Sequence, residues 1–318
     1  MSNTIYDIII IGGGPAGLTA GLYTARRALK TLILSKDLGG QASLSYDIEN
    51  YPGVDLIDGL LLMQKFAKQA QKFGAEIKYG EAIEIKKEKN QFIVVTDRES
   101  FTTQSLILAC GLMPKDLNIP GEKKFKGRGV SYCATCDGPL FKNKIVAVVG
   151  GGNSALDAAE YLSKIVKKVY LIHRRDQFKG EEIILTRLRK DPKVEMVTSS
   201  EIIEIKGNQI VKSIIIKNNG DDQIKELEID GIFVEIGYVA KTDLFKNLVK
   251  INKKGEVITD KNTNTSELGI FSCGDVTDCS YKQIVISAGE GAKAALQAYK
   301  YLRLQKGDNI LPDWERKK

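Results

Sequence analysis

A chain of 318 residues with a single histidine, His173, and five cysteines has few ways to hold a transition metal. Structural zinc takes about four Cys, His or carboxylate ligands in tetrahedral array. The cysteines offer one C-x-x-C, Cys133 to Cys136, while Cys110, Cys273 and Cys279 form no second one, so no metal is expected. An odd cysteine count without a signal-peptide pattern argues against a secreted disulfide framework and points to the reducing cytosol. No apolar run approaches the ~18 residues that suggest a membrane span. The 47 Lys and Arg against 40 Asp and Glu leave a formal charge of +7. The lysines are scattered, and nucleic-acid binding would want a concentrated basic stripe with interleaved aromatics. What the length does allow is two domains, each able to bury its own core.

The C-x-x-C is followed directly by Asp137 and, a little further on, by a glycine-rich turn. That spacing lets two sulfurs close a small disulfide ring, and each thiol lowers the other's pKa. Such a pair accepts two electrons as a unit, and a dithiol beside a nucleotide turn suggests a redox enzyme. Cys110 and Cys273 instead follow or end apolar runs, 106–109 and 270–272, where cysteine serves as a small buried hydrophobe.

Two glycine turns stand in the same context. The β-branched run 6–11 precedes Gly12-Gly13-Gly14-Pro15-Ala16-Gly17, and a helical pattern follows. A continuous run of this kind suits a parallel strand buried on both faces. Gly12, Gly14 and Gly17 match G-x-G-x-x-G between strand and helix, which places a pyrophosphate on the helix N-terminus. The pattern recurs at 144–149, followed by Gly150-Gly151-Gly152-Asn153-Ser154-Ala155, with Ala155 as the permitted third small residue. One chain therefore carries two dinucleotide folds.

The folds differ at the ends of their second strands, where an acid binds ribose hydroxyls and a base holds a 2′-phosphate. In the second fold the strand 169–172 runs into His173-Arg174-Arg175, with Lys179 close behind. Arginine gives permanently charged, bidentate contact with phosphate, so Arg174 and Arg175 favour NADP(H), with Lys179 third and His173 positional. In the first fold the strand 31–34 leads to Ser35-Lys36-Asp37. Ser35 is the candidate there for the adenosine ribose.

With these motifs in this order, the chain resembles the low-molecular-weight thioredoxin reductases of bacteria and archaea, almost end to end. The resemblance also rests on Gly39-Gly40-Gln41, on Glu49-Asn50-Tyr51-Pro52-Gly53 and on Gly269-Ile270-Phe271-Ser272-Cys273-Gly274-Asp275-Val276. It implies an α/β protein with two Rossmann-like domains, the second inserted in the first: an FAD domain over 1–113 and 246–318 and an NADPH domain over 114–245. Gly40, Gln41 and Asn50 would lie near the flavin, Gly274 and Asp275 at its ribitol, and Lys282, Gln283 and Ile284 along the isoalloxazine. Segments 112–114 and 237–242 would be hinges for a domain rotation, and 92–95 and 202–205 would belong to small β meanders. Cys136 would face the flavin, Cys133 would attack thioredoxin, and Asp137 would move the proton. A homodimer is implied as well. Tyr238 and Lys241 depart from the family's usual Gly-His and Asn-Thr at the second crossing, and Lys179 and Lys282 stand where arginine is common.

Two alternatives stay open within the enzyme class. One is a reductase of another protein disulfide, peroxiredoxin-linked or glutaredoxin-like. The flavoprotein subunit of alkyl hydroperoxide reductase shares this core but carries an N-terminal thioredoxin-like extension, whereas this chain starts at the first strand. The other is a ferredoxin/flavodoxin–NADP reductase on the same scaffold, against which the dithiol counts.

Overall fold

The computed structural model describes residues 5–45, 48–240 and 242–308, so Lys241 lies outside the described residues. The chain divides into two compact units, Met1–Met113 with Ala240–Lys318, and Pro114–Val239.

The first unit opens with β1 (Ile5–Ile11), α1 (Pro15–Arg26), β2 (Thr31–Ser35), α2 (Gly59–Lys72) and β3 (Glu76–Tyr79). β4 (Ala82–Glu88), β5 (Gln91–Thr96) and β6 (Ser100–Leu108) follow, and β7 (Met113–Pro114) leaves the unit. Its sheet runs β3-β2-β1-β6-β5-β4. The strands β3, β2, β1 and β6 are parallel, and β4, β5 and the start of β6 form an antiparallel meander. Successive side chains of a strand point to opposite faces, and the isoleucines of β1 obey this. Ile8 and Ile10 pack with Ile33, Ile107 and the helices, while Ile9 and Ile11 pack with Leu32, Leu34 and the meander. An all-apolar strand is thus the signature of a sheet covered on both faces.

The second unit contains α3 (Glu122–Phe125), β8 (Val130–Ser131), α4 (Ala134–Asp137), β9 (Ile145–Val149), α5 (Asn153–Ser163), β10 (Lys168–Ile172), α6 (Glu182–Lys190) and β11 (Val194–Val197). Then come β12 (Ser200–Gly207), β13 (Val211–Asn218), β14 (Ile224–Glu228), β15 (Gly231–Val234) and β16 (Tyr238–Val239). Its parallel sheet runs β11-β10-β9-β15-β8, and β12-β13-β14 is a separate antiparallel meander. Val146 and Val148 face α5 and α6, while Ala147 and Val149 face the meander. The expected meander stretches 92–95 and 202–205 lie in β5 and β12.

The chain returns to the first unit at Ala240, ahead of the expected 245/246 boundary. Ala240 and Phe245 are buried with Tyr6, Ile9, Val257 and Ile270, which binds this stretch to the first unit's core. β17 (Ile270–Ser272) then adds to the end of β6, and α7 (Ile284–Gln305) closes the unit. α7 lies against α1 through small residues. A Cβ on Gly291 would stand 2.1 Å from the Ala16 carbonyl oxygen, a distance real contacts do not reach. Gly291→Ala is expected to destabilise the fold by about 1–3 kcal/mol, the usual cost of overpacking a rigid contact, and urea denaturation of the purified variant measures it.

Candidate functional site

The first glycine turn is shaped by what surrounds it. Gly12 has φ +117°, and a Cβ there would fall 2.2 Å from Ala109 O; a Cβ on Gly17 would fall 1.8 Å from Gly12 O. Any side chain would push strand, turn and helix apart. Gly14 caps α1 and Pro15 takes its first position, where a missing N–H costs nothing. Ala16 and Gly17 are buried in the first turn, whose N–H groups make an anion site. Opposite them, a Cβ on Gly40 would approach Gly14 Cα to 3.9 Å, so two bare backbones face each other. Gly39 N–H donates to Gly13 O at 2.8 Å, and Gly40 N–H donates to Asp37 Oδ1 at 3.1 Å. Gln41 follows in a 3-10 turn, Gly40–Leu44. Ser35 is buried at the end of β2, and its Oγ accepts from Gly13 N–H at 2.8 Å. The residue expected at the ribose therefore braces the glycine turn.

The C-terminal motif meets this turn from the other side. A Cβ on Gly274 (φ +77°) would come within 2.8 Å of Ala16 Cβ, which sets Asp275 beside the α1 N-terminus. Asp275 Oδ1 accepts from Ser287 Oγ at 3.0 Å, and Gly274 N–H donates to Glu290 at 2.8 Å. Burial pushes the Asp275 carboxyl up, against the Ser287 hydrogen bond and the Lys282 charge. Asn50 Nδ2 donates to Gln283 Oε1 at 3.2 Å, joining two residues that sequence placed along the same group. Ile284 opens α7 immediately after. Lys282 is tied down by its charge. Its Nζ donates to the carbonyls of Asp275 (3.0 Å) and Thr277 (2.6 Å) and lies 3.4 Å from Glu256, so its charge braces the Asp275 loop.

The second turn repeats the first. Gly150 has φ +155°, and a Cβ there would strike Glu235 O at 2.2 Å; Gly152, the α5 cap, opens onto empty space. Asn153 is tied to Glu181, its Oδ1 accepting from Glu181 N–H at 2.8 Å. Ser154 is exposed and Ala155 is buried beneath the turn. Gly151 leaves room for the His173 ring, which a Cβ would meet at 2.2 Å, and the ring stacks on Phe178 at 5.2 Å. Burial lowers the His173 pKa, and the charges of Arg175, Arg174 and Lys179 lower it further, so the imidazole feels all three expected phosphate ligands. Their side chains are exposed, and the backbone beneath them is pinned by Ser199 N–H on Arg175 O and Asn219 Nδ2 on Arg174 O. His173 Nε2 is buried with no hydrogen-bond partner among the described residues. A buried polar atom with no partner, three cations and a bare glycine turn are residues that NADP(H) fits.

In the same unit Cys133 and Cys136 form a disulfide with Cα atoms 5.4 Å apart. Cys133 is the cap of α4, and its Sγ accepts from Cys136 N–H at 3.2 Å. A thiolate at Cys133 would be stabilised by that donor. Ser131 Oγ brackets Cys133, accepting its N–H at 3.1 Å and donating to its carbonyl at 3.2 Å. Tyr132, between them, is anchored through its hydroxyl to Asp116 and Glu122, both at 2.8 Å. Asp137 ends α4 and makes no side-chain cap bond to the 3-10 turn that follows. Two of the three remaining thiols have another fate: Cys273 is fully buried, burial pushes its pKa up, and burial pushes Cys110 up to about 12. Both are poor nucleophiles. Ser131, Ser287 and Glu290 are site residues that sequence reasoning missed, since each acts through a tertiary neighbour.

Among the described residues no cluster of three or more His, Cys, Asp or Glu could hold a metal, and no helix is long and apolar enough to cross a membrane. Two dinucleotide folds and a half-buried dithiol at a short helix in one of them define a nucleotide-dependent disulfide oxidoreductase. The pyridine nucleotide-disulphide oxidoreductase family model matches residues 6–291, and the chain belongs to that family. It is 39% identical to the thioredoxin reductase of Peptoclostridium acidaminophilum, covering 94% of this chain and 97% of that one. Against the thioredoxin reductase of Treponema pallidum the identity is 40%, with 94% and 98% covered. The crystal structure of Lactococcus lactis thioredoxin reductase superposes with a TM-score of 0.82 at 39% identity, over 93% of this chain and 99% of that one.

Because His173 is the only histidine, its two ring C–H protons give NMR signals free of any other histidine's. It is expected to titrate below 6.5, since burial and three cations disfavour the imidazolium. Arg175→Glu removes one of those cations and adds an anion, so the midpoint should move up; an unmoved midpoint would separate Arg175 from the imidazole.

Proposed function

We propose that this protein is an NADPH-dependent thioredoxin-disulfide reductase that passes electrons through FAD and the Cys133–Cys136 disulfide. The disulfide itself carries the reading, because it is a two-electron acceptor built into the unit with the basic nucleotide turn. The first unit takes FAD, and the second takes NADPH. The cradle of Gly12, Gly14, Gly17 and Gly40, with Asp275, Asn50 and Gln283, supports the first assignment. The orphaned His173 nitrogen and the two arginines support the second. When bound, the flavin accepts hydride from NADPH and delivers two electrons to the disulfide.

Two electrons and two protons open the S–S bond to two thiols. Asp137, the residue after Cys136, is assigned the proton transfer there, supported by its adjacency in sequence. Cys133 as thiolate is held by the Cys136 N–H, attacks a sulfur of the oxidised partner and forms a mixed disulfide while the partner's other sulfur leaves. Cys136 then attacks Cys133, frees the reduced partner and restores the internal disulfide. Oxidised thioredoxin is the partner by family likeness, which also supports a homodimer and a cytosolic location.

The reading is tested by steady-state reduction of oxidised thioredoxin with NADPH and then NADH. NADPH-dependent turnover is expected, and none with thioredoxin present would overturn it. Arg174→Ala and Arg175→Ala should each raise KM for NADPH about tenfold or more and leave KM for NADH nearly unchanged, since a charge-assisted phosphate contact is what is lost. Asp137→Asn should slow thiol release while sparing flavin bleaching in stopped-flow traces; equal slowing of both would remove its proton role.

A further inference from the structure

The second unit's sheet reverses its order at β9, with β10 on one side and β15 on the other. Ligands of open α/β sheets lie outside the carboxyl ends of the strands at such a reversal. The first residue past β15 is Glu235. Its N–H donates to Val149 O at 2.8 Å, and its carbonyl is the oxygen that a Cβ on Gly150 would strike. The first unit has the same arrangement with a different side chain. There Ala109 N–H donates to Ile11 O at 2.8 Å, and Ala109 O blocks a Cβ on Gly12 at the same 2.2 Å. Two folds built alike thus carry a methyl in one and a carboxyl in the other.

The surroundings of that carboxyl are acidic. Burial, and then the charge of Asp157 in α5, push Glu235 up to about 7. Asp157 is itself raised, by burial first and then by Glu160 and Glu181, with Arg187 of α6 opposing. Arg187 is already bound to Glu160 at 2.5 and 3.2 Å. Tyr238, beyond the turn, is raised by burial and by Glu235. The cationic turn at Arg174 and Arg175 follows β10, so the 2′-phosphate end of a dinucleotide belongs on that side of β9. The β15 side, with Glu235, is left for the other end.

We propose that Glu235, backed by Asp157, is a specificity-determining residue for the redox state of the nicotinamide. Its carboxylate favours the cationic ring of NADP+ over the neutral ring of NADPH. This inference rests on the assignment of the second unit to NADP(H). When hydride departs, the C4–H bond breaks, the hydrogen and both electrons go to the flavin, and the ring is left positive. An ionised Glu235 offsets that charge, whereas a protonated one does not. Below pH 7 the carboxyl is mostly neutral and the preference is small; above pH 7 it grows.

Isothermal titration calorimetry on the oxidised holoenzyme, from pH 6 to pH 8, separates the outcomes. The probes are NADP+ and 1,4,5,6-tetrahydro-NADP, whose ring is neutral and cannot deliver hydride. They carry the same phosphates, so phosphate repulsion and titration cancel in the ratio of their affinities. The ratio should rise about fivefold or more across this range in favour of NADP+. It should stay flat in Glu235→Gln. In Asp157→Asn it should rise with a lower midpoint, because a like charge has been removed. A flat ratio in the unmodified protein, or the same rise in Glu235→Gln, overturns the inference and leaves the NADP(H) assignment standing. Failure of both probes to bind overturns the assignment and the inference together.

Discussion

A phosphate can rest on backbone N–H groups only where no side chain intervenes, and both halves of this protein are organised around keeping such a place bare. In each, the carbonyl of the residue just beyond a neighbouring strand, Ala109 or Glu235, stands where a Cβ on the first glycine would have to be. The glycine is thus required twice, for its positive φ and for the close approach of another strand's backbone. Strand pairing, helix entry and the anion site are set by one contact. The Ala16–Gly291 approach of α1 and α7 extends the same economy of side chains into the packing behind the first turn.

The dithiol uses a different means, local electrostatics in place of an empty space. Cys133 is the cap of a short helix and faces the Cys136 N–H, a position that favours its thiolate. Cys110 and Cys273 sit in apolar packing that raises their pKa and keeps them as thiols. At these four positions the same side chain therefore serves two ends.

Much of this was legible in the sequence because the constraints are local. Four consecutive isoleucines before a glycine triplet can be little other than a doubly covered strand entering a dinucleotide turn, and C-x-x-C spacing is set by ring closure. His173, Arg174 and Arg175 are sequence neighbours, so their place in one turn after β10 was also readable. What escaped depends on distant segments. The hydrogen bond that the Ser35 hydroxyl accepts from Gly13 N–H has no sequence signal, because it needs β2 to end level with the turn. The hold of the Asp275 and Thr277 carbonyls and of Glu256 on Lys282 is likewise tertiary. Residues 240 and 245 join the first unit's core through contacts with Tyr6 and Ile9 that no local pattern announces. Glu235 had no motif at all, and its place follows only from the pairing of β15 with β9.

The central claim is that Cys133 and Cys136 are the chain's electron exit. Anaerobic addition of excess NADPH to the oxidised protein, followed by alkylation and peptide mapping, tests it directly. The account predicts two new thiols per chain, both on the peptide containing Cys133 and Cys136, with Cys110 and Cys273 unchanged in state. A reduced flavin with no new thiols on that peptide would contradict it.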